Sequence, residues 1–468
     1  MSQLEDYKKA IGQDYVLSGS DTARWQRDFT GQYTSDPLAV LRPASTEEVQ
    51  ACVRIAAHHG HAIVPAGGNT GLNGGLTTNG GVILSLDRLN RILDIRPEAR
   101  IAIVEAGVIL GNLHEAAEAH DLVFPLTFGA KGSALIGGCL ATNAGGSNVV
   151  RYGNTRDLVL GLEVVLANGE VMDLMTELHK DNSGYNLRHL MIGSEGTLGI
   201  ITKAVLKLVP KPRAYASAMV AARSLDDALT LLNRLQIETG GKVEAFEYMP
   251  REYFDTLMHI KPDTREPFET THETNIFVEV ASTIPTDAEV DETGAVPLAE
   301  DFQRLLMELY DEGAVTDAVV AQNEGERREM WARREAAAEV QMCHMPLLVN
   351  DIALPLDKVS TFLDLAKHRL TTFDGIIEHK TVCHLGDGNI HFVQWLKPEK
   401  VDQKGPIMET VEELVLELGG SFSAEHGIGL SKLPSMERRK DKVALEVMRT
   451  IKKALDPQGI MNPGKLLP

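Results

Sequence analysis

Two short segments hold residue types that can do chemistry together. The first runs Cys383-His384-Leu385-Gly386-Asp387-Gly388-Asn389-Ile390-His391-Phe392, the second Ser423-Ala424-Glu425-His426-Gly427-Ile428-Gly429. Gly-Asp-Gly-Asn between apolar, β-prone flanks predicts a hairpin turn. A tight turn centred on Asp387-Gly388 predicts His384 directly across from His391, with Cβ atoms about 5 Å apart. At that distance two imidazoles can share one metal ion. Glu425 is the candidate third ligand, and His426 stands beside the ion, free to move protons. Two histidines, one carboxylate and an open position make a catalytic rather than a closed structural site. The competing reading is a pair of surface histidines flanking a turn. It fits the His384/His391 spacing taken alone, which matches no common finger or zincin pattern. The Glu-His pair and the glycines around both segments favour metal.

The elements that must position these residues belong to a chain of 468 residues, long enough for two or three domains. Apolar content of 43% and charged content of 24% are those of an ordinary globular protein with ample core. A formal charge of −20 argues against nucleic acid and anionic membrane surfaces as partners. The first fifteen residues are charged and carry no signal-peptide core, and no run approaches the ~20 apolar residues of a membrane span. Four scattered cysteines, Cys52, Cys139, Cys343 and Cys383, suggest no disulfide framework, so a reducing cytoplasm is the expected location. Strand alternation points Cys383 away from the face that bears His384.

Three stretches are expected: 1–212, 213–420 and 421–468. In the first, Ser45 and Glu48 are spaced as a capping box for a helix that Gly60 ends. Strands are predicted over 62–64, 82–86 and 101–106, and a hairpin over 162–173 turning at Ala167-Asn168-Gly169. Pro210-Lys211-Pro212 marks the boundary. The second stretch predicts helices over 225–235, 299–310, 324–340 and 357–370, and strands over 243–248, 376–384 and 390–395. Its segment 282–299 reads as an exposed loop. The third carries Glu425-His426, a helix over 441–455 and Asn462-Pro463. The class is α+β.

Glycine loops form a second constellation. Pro65-Ala66-Gly67-Gly68-Asn69-Thr70-Gly71-Leu72-Asn73-Gly74-Gly75 follows a strand, and unobstructed backbone N–H groups there make an anion nest suited to a diphosphate. Further clusters lie at 129–138, 141–146 and 193–199. One such loop serves turns alone; four suggest a long ligand held along its length. No Rossmann or Walker pattern occurs in the right context.

Together these motifs resemble the FAD-linked D-2-hydroxy-acid dehydrogenases of the vanillyl-alcohol-oxidase type. They are Pro-x-Gly-Gly-Asn-Thr-Gly from Pro65, Gly-Ala-Lys-Gly-Ser from Gly129, Ala-Thr-Asn-Ala-Gly-Gly from Ala141, Arg151-Tyr152-Gly153, Leu-Gly-Leu-Glu-Val-Val-Leu from Leu160, Gly-Ser-Glu-Gly-Thr-Leu-Gly from Gly193, the two segments above, and Asn462-Pro463. The family includes D-2-hydroxyglutarate and D-lactate dehydrogenases and the glycolate oxidase flavin subunit. The resemblance implies a two-subdomain FAD-binding domain of the PCMH type (1–212), an α+β cap (213–420), and a C-terminal segment (421–468) that completes the active site. It assigns FAD contacts to Pro65, Gly67, Gly68, Asn69, Thr70, Gly71, Gly132, Ser133, Gly137, Gly138, Thr142, Asn143, Gly145, Gly146, Glu195, Gly199, Ile201 and Asn462. His384, His391 and Glu425 are implied ligands of zinc or manganese. His426 is the implied general base, with His384, His391 and Arg334 also facing substrate. No histidine marks a covalent flavin link, so non-covalent FAD is expected. The implied partners are a small 2-hydroxy acid and an electron acceptor such as an electron-transfer flavoprotein or quinone, with room for a homodimer.

Trp331-Ala332-Arg333-Arg334-Glu335 matches the family's Trp-x-x-Arg-Glu element, which makes Arg334 the implied carboxylate-binding arginine. D-2-hydroxyglutarate dehydrogenases carry polar residues where this chain has Ala338, Val349 and Val393. A second substrate carboxylate would be buried without partners there, so the resemblance implies D-lactate or another D-monocarboxylate. D-2-hydroxyglutarate dehydrogenase, an alkylglycerone-phosphate-synthase-like flavin transferase, a metal hydrolase and a non-catalytic electron-transfer subunit are the alternatives.

Overall fold

The structure is a computed structural model describing residues 3–290, 292 and 295–468. Among these residues the chain forms two compact units, one within 3–146, 153–210 and 426–468, the other within 147–152 and 211–425. The first division follows Pro210. The second falls between Glu425 and His426, five residues beyond the expected 420/421. The short segment 147–152, expected in the first domain, packs with the second. There Arg151 and Tyr152 both donate to the buried Glu244 carboxylate, at 2.8 and 2.5 Å.

Among the described residues the first unit holds two larger sheets and a two-stranded one that pairs Val209–Pro210 with Leu122–Val123. Val16–Leu17, Ala39–Leu41, Val82–Ser85 and Ile63–Ala66 form one, with its last three strands parallel. Ile92–Arg96, Ile101–Glu105, Ile200–Lys207, Val159–Val165 and Val171–Leu174 form the other, antiparallel throughout. The helix Thr46–His59 begins where expected. Ser45 accepts from the Glu48 N–H while Glu48 accepts from the Ala44 N–H, and Gly60 closes the helix in the left-handed region. The hairpin across Asn168-Gly169 forms with Val165 opposite Val171.

The second unit is one seven-stranded antiparallel sheet. Its order is Asp317–Val320, Ala214–Ala222, Thr274–Ser282, Val243–Pro250, Ile376–His384, Asn389–Leu396 and Leu347–Ala353. Helices cover both faces, so the central strands are buried along their whole length. On one face Val220, Val278, Phe246, Cys383 and Phe392 meet Leu231, Phe302, Phe362 and Val411 from four helices. On the other, Met219, Phe277, Met249 and Val382 meet Tyr253, Leu257, Met330 and Val340. Period-two alternation puts Cys383 on the first face and its neighbour His384 on the second.

Two expectations need correction. The predicted helix over 324–340 is two, Glu324–Glu335 and Ala337–Met342, broken at Ala336. Tyr253 donates its hydroxyl to the Arg333 carbonyl, the acceptor a continuous helix would offer to the Ala337 N–H. The expected loop over 282–299 contains a short 3₁₀ turn, Pro285–Asp287, and its end lies in the helix Pro297–Asp311. Asp291, Thr293 and Gly294 of that loop lie outside the described residues, as do Met1 and Ser2.

Candidate active site

The hairpin exists, but its register differs from the expected one. His384 pairs with Asn389, and His391 pairs with Val382. The turn is Leu385–Gly388 rather than a pair centred on Asp387-Gly388. The His384 carbonyl accepts from both Asp387 and Gly388 N–H groups, and Gly388 turns the chain at φ +82°. A Cβ on Gly388 would lie 2.2 Å from the Leu354 carbonyl oxygen, so only glycine fits. The histidines are therefore diagonal neighbours on one sheet face, with ring centroids 5.5 Å apart.

Each imidazole has a buried carboxylate at its Nδ1. Glu247 Oε1 lies 2.8 Å from His384 Nδ1, and Asp351 Oδ1 lies 3.8 Å from His391 Nδ1. His391 Nε2 faces Glu425 Oε1 at 3.4 Å. Asp351, fully buried, also accepts from the Glu425 backbone N–H and from Asn389 Nδ2, both at 3.0 Å. Asp351, His391 and Glu425 offer ligand atoms within 4.8 Å of one another, a set able to hold a divalent cation. His384 lies outside that cluster, engaged with Glu247 and Arg334. His426 follows Glu425 directly in the chain.

Arg334 comes from the helix Glu324–Glu335 and is almost wholly buried. Its Nε donates to Glu247 Oε2 at 2.6 Å, and its Nη2 lies 3.3 Å from both ring nitrogens of His384. Burial alone would push the Glu247 carboxyl up, but the neighbouring Arg334 and His384 hold it down to about 2. The same carboxylate raises the His384 imidazole against the effect of burial. The adjacent Arg333 points elsewhere, donating to the Arg265 carbonyl.

Glu247 was not visible from sequence. It sits between Phe246 and Tyr248 in a strand with every residue buried. Only strict alternation, which places it on the face opposite Phe246, could have singled it out. Asp351, in the buried end of the strand Leu347–Ala353, carries no local mark either.

In the first unit the glycine loops converge. The loop after Ile63–Ala66 packs on that around Ser133: a Cβ on Gly68 would lie 2.0 Å from the Ser133 carbonyl oxygen, and one on Gly67 would lie 3.3 Å from Gly138 Cα. Gly132 has open space around it, whereas Gly137 packs on Ala106 and Gly146 on the Thr127 carbonyl. Thr142 bonds the Gly138 carbonyl, and Asn143 caps its helix and accepts from the Arg156 N–H. Gly199 and Ile201 lie at the start of the strand Ile200–Lys207, packed against Val164 and in the core.

Glu195 is committed to another task. Its two carboxylate oxygens accept from the backbone N–H groups of Ile428 and Gly429, each at 2.7 Å. Asn73 donates to the His426 carbonyl at 2.8 Å. These two side chains clamp the loop that presents His426. Asn462 donates to the carbonyls of Glu195 and Gly75, while its Oδ1 is buried with no hydrogen-bond partner among the described residues. An orphaned acceptor beside the glycine loops is what a ligand N–H would satisfy, and it fits FAD.

These loops, two sheets and covered second unit define a flavoprotein oxidoreductase of the PCMH type. The chain belongs to the FAD-linked oxidases: the family described as "FAD linked oxidases, C-terminal domain" matches residues 211–466, and "FAD binding domain" matches 37–175. It is an FAD-dependent enzyme. A D-2-hydroxyglutarate dehydrogenase of Xanthomonas citri pv. viticola is 37% identical over 457 residues, covering 96% of this chain and 93% of that one. The mitochondrial D-2-hydroxyglutarate dehydrogenase of Arabidopsis thaliana is 32% identical, covering 99% and 81%. Among solved structures, p-cresol methylhydroxylase with substrate bound superposes with a TM-score of 0.75 at 18% identity, covering 99% of this chain and 96% of that one. The 4-ethylphenol oxidase of Gulosibacter chungangensis gives 0.73 at 19%, covering 100% and 97%. Likeness at that identity carries the fold alone. Among the described residues no helix is long and apolar enough to cross a membrane.

Proposed function

We propose that this enzyme oxidises a D-2-hydroxy acid to the 2-oxo acid, and that its preferred substrate is D-lactate or another D-monocarboxylate. The observation that carries the reading is the buried Arg334–Glu247–His384 group, on the same sheet face as His391 and Asp351.

Arg334, with Nε committed to Glu247 and Nη2 set against the His384 ring, offers Nη1 to a substrate carboxylate. That orients the acid and places its 2-hydroxyl toward the histidines. His426 accepts the hydroxyl proton as general base, an imidazole being suited to this near neutral pH. Non-covalent FAD supplies the acceptor for the C2 hydride when bound. A divalent ion, zinc or manganese, would be held by His384, His391 and Glu425, with Asp351 as the alternative donor, and would supply Lewis-acid polarisation of the hydroxyl.

The monocarboxylate preference rests on Val393 and Val349, paired in register on that face, where Val393 packs with Leu347 and Trp395. Lys380 lies opposite Val393, yet its ammonium is spent on Thr256 at 2.8 Å, Glu378 at 2.5 Å and the Trp395 ring at 4.4 Å. Val393 is buried whereas Val349 is 41% exposed, so it is a distal carboxylate set against Val393 that would be desolvated beside an apolar side chain. The second reading, D-2-hydroxyglutarate, is favoured by the names of the relatives. Side-by-side stopped-flow reduction decides. D-lactate with the higher kcat/KM, by about 10²-fold, supports the first reading; tighter and faster reduction by D-2-hydroxyglutarate establishes the second.

A further inference from the structure

The buried Glu247 joins two groups given separate tasks, and this inference rests on the metal and substrate roles proposed above. We infer that Glu247 is a positioning residue that sets the tautomer of His384 and the aim of Arg334 at once.

The geometry gives each carboxylate oxygen one partner: Oε1 takes His384 Nδ1 at 2.8 Å and Oε2 takes Arg334 Nε at 2.6 Å. A carboxylate can only accept, so the neutral imidazole places its hydrogen on Nδ1. That leaves the lone pair on Nε2, the nitrogen a cation would take in competition with Arg334 Nη2, 3.3 Å away. Arg334 is held by its Nε, and its Nη2 lies 3.3 Å from both His384 ring nitrogens. Strand pairing keeps the arrangement stiff, since Glu247 and His384 are register partners in adjacent strands. Among the described residues, Glu247 has no third hydrogen-bond partner, and its side chain is 1% exposed. Tyr253, packed under the same helix, fixes the Arg333 carbonyl and with it the backbone from which Arg334 extends. Asp351 faces His391 Nδ1 at 3.8 Å, longer than the 2.8 Å hydrogen bond between Glu247 and His384.

Glu247→Gln keeps the shape and removes this logic. The amide presents one acceptor and one donor group. If its oxygen stays on Arg334, its NH₂ faces His384 and draws the imidazole into the tautomer protonated on Nε2, which cannot bind a metal. If it faces the other way, the NH₂ opposes Arg334 Nε and the guanidinium swings.

The test is zinc titration of the metal-stripped, FAD-loaded enzyme, with competition against a chelating indicator, on wild type and E247Q. The expected result is about 10–100-fold weaker zinc binding in E247Q, with flavin content unchanged and KM for D-lactate raised by about tenfold or more. Equal zinc affinity and equal KM in the two proteins would overturn the inference while leaving the metal site in place. A wild type that takes up no zinc would overturn the metal assignment itself, and this inference with it. If E247Q does not fold, E247D carries the same test. It keeps the charge but is too short to hold both partners, and zinc binding about fivefold weaker or more is expected.

Discussion

Glu195 and Ile428 are 233 residues apart in sequence, yet the carboxylate of one accepts the backbone N–H of the other at 2.7 Å. A second bond of the same length goes to Gly429. Gly427 and Gly429 have φ of +76° and +49°, and a Cβ on either would strike Glu195 or Asn73. The loop that presents His426 is thus shaped by glycine and clamped by the two side chains. Glu195→Ala strands two buried N–H groups, each costing about 1–3 kcal/mol. It should lower the melting temperature and slow flavin reduction by about 10²-fold, with flavin content unchanged. Loss of flavin together with activity would show that Glu195 holds the cofactor instead.

His426→Ala should cost about 10²–10⁴-fold in the rate of flavin reduction, the usual worth of a positioned general base. Metal content should stay at the wild-type level, because His426 is assigned no ligand role. Stopped-flow reduction paired with elemental analysis checks both. Joint loss of metal and activity would exchange the roles of Glu425 and His426.

Chelation, or Glu425→Gln, should abolish most turnover while FAD stays bound. Asp351→Asn should weaken metal binding by about 10–100-fold, whether Asp351 ligates the ion or backs His391. Full activity in protein shown to be metal-free would dismiss the ion from the mechanism.

Glu247 also predicts an acid response. Its folded carboxyl is held down to about 2, below the ordinary value of 4.5. A depressed carboxyl contributes stability that is present above the unfolded value and lost as pH falls through the folded one. Wild type should therefore lose stability relative to Glu247→Gln between about pH 4.5 and pH 2. Melting curves of the two proteins across that window read it out, and parallel curves would contradict the ion triad.

Much of this was legible in the chain. The Ser45/Glu48 box, Gly60 and the Asn168-Gly169 turn are local signals, and each element follows its own residues. The hairpin register was not legible, because Leu385-Gly386-Asp387-Gly388-Asn389 accommodates two turn centres. The choice between them is made by the Leu354 carbonyl, which packs on Gly388 from another strand's end. Glu247 escaped for a similar reason. Its partner His384 is 137 residues away, and a glutamate inside an apolar strand carries no local mark of pairing. The helix break at Ala336 depends on the Tyr253 hydroxyl, again a distant group.

The central claim is tested most directly by anaerobic addition of 2-hydroxy acids to the purified, FAD-containing enzyme while the oxidised-flavin absorbance is followed. D-lactate should bleach the flavin, L-lactate should not, and Arg334→Ala should impair reduction by every effective acid. Bleaching by the L-enantiomers alone, or by no 2-hydroxy acid at all, would contradict the account.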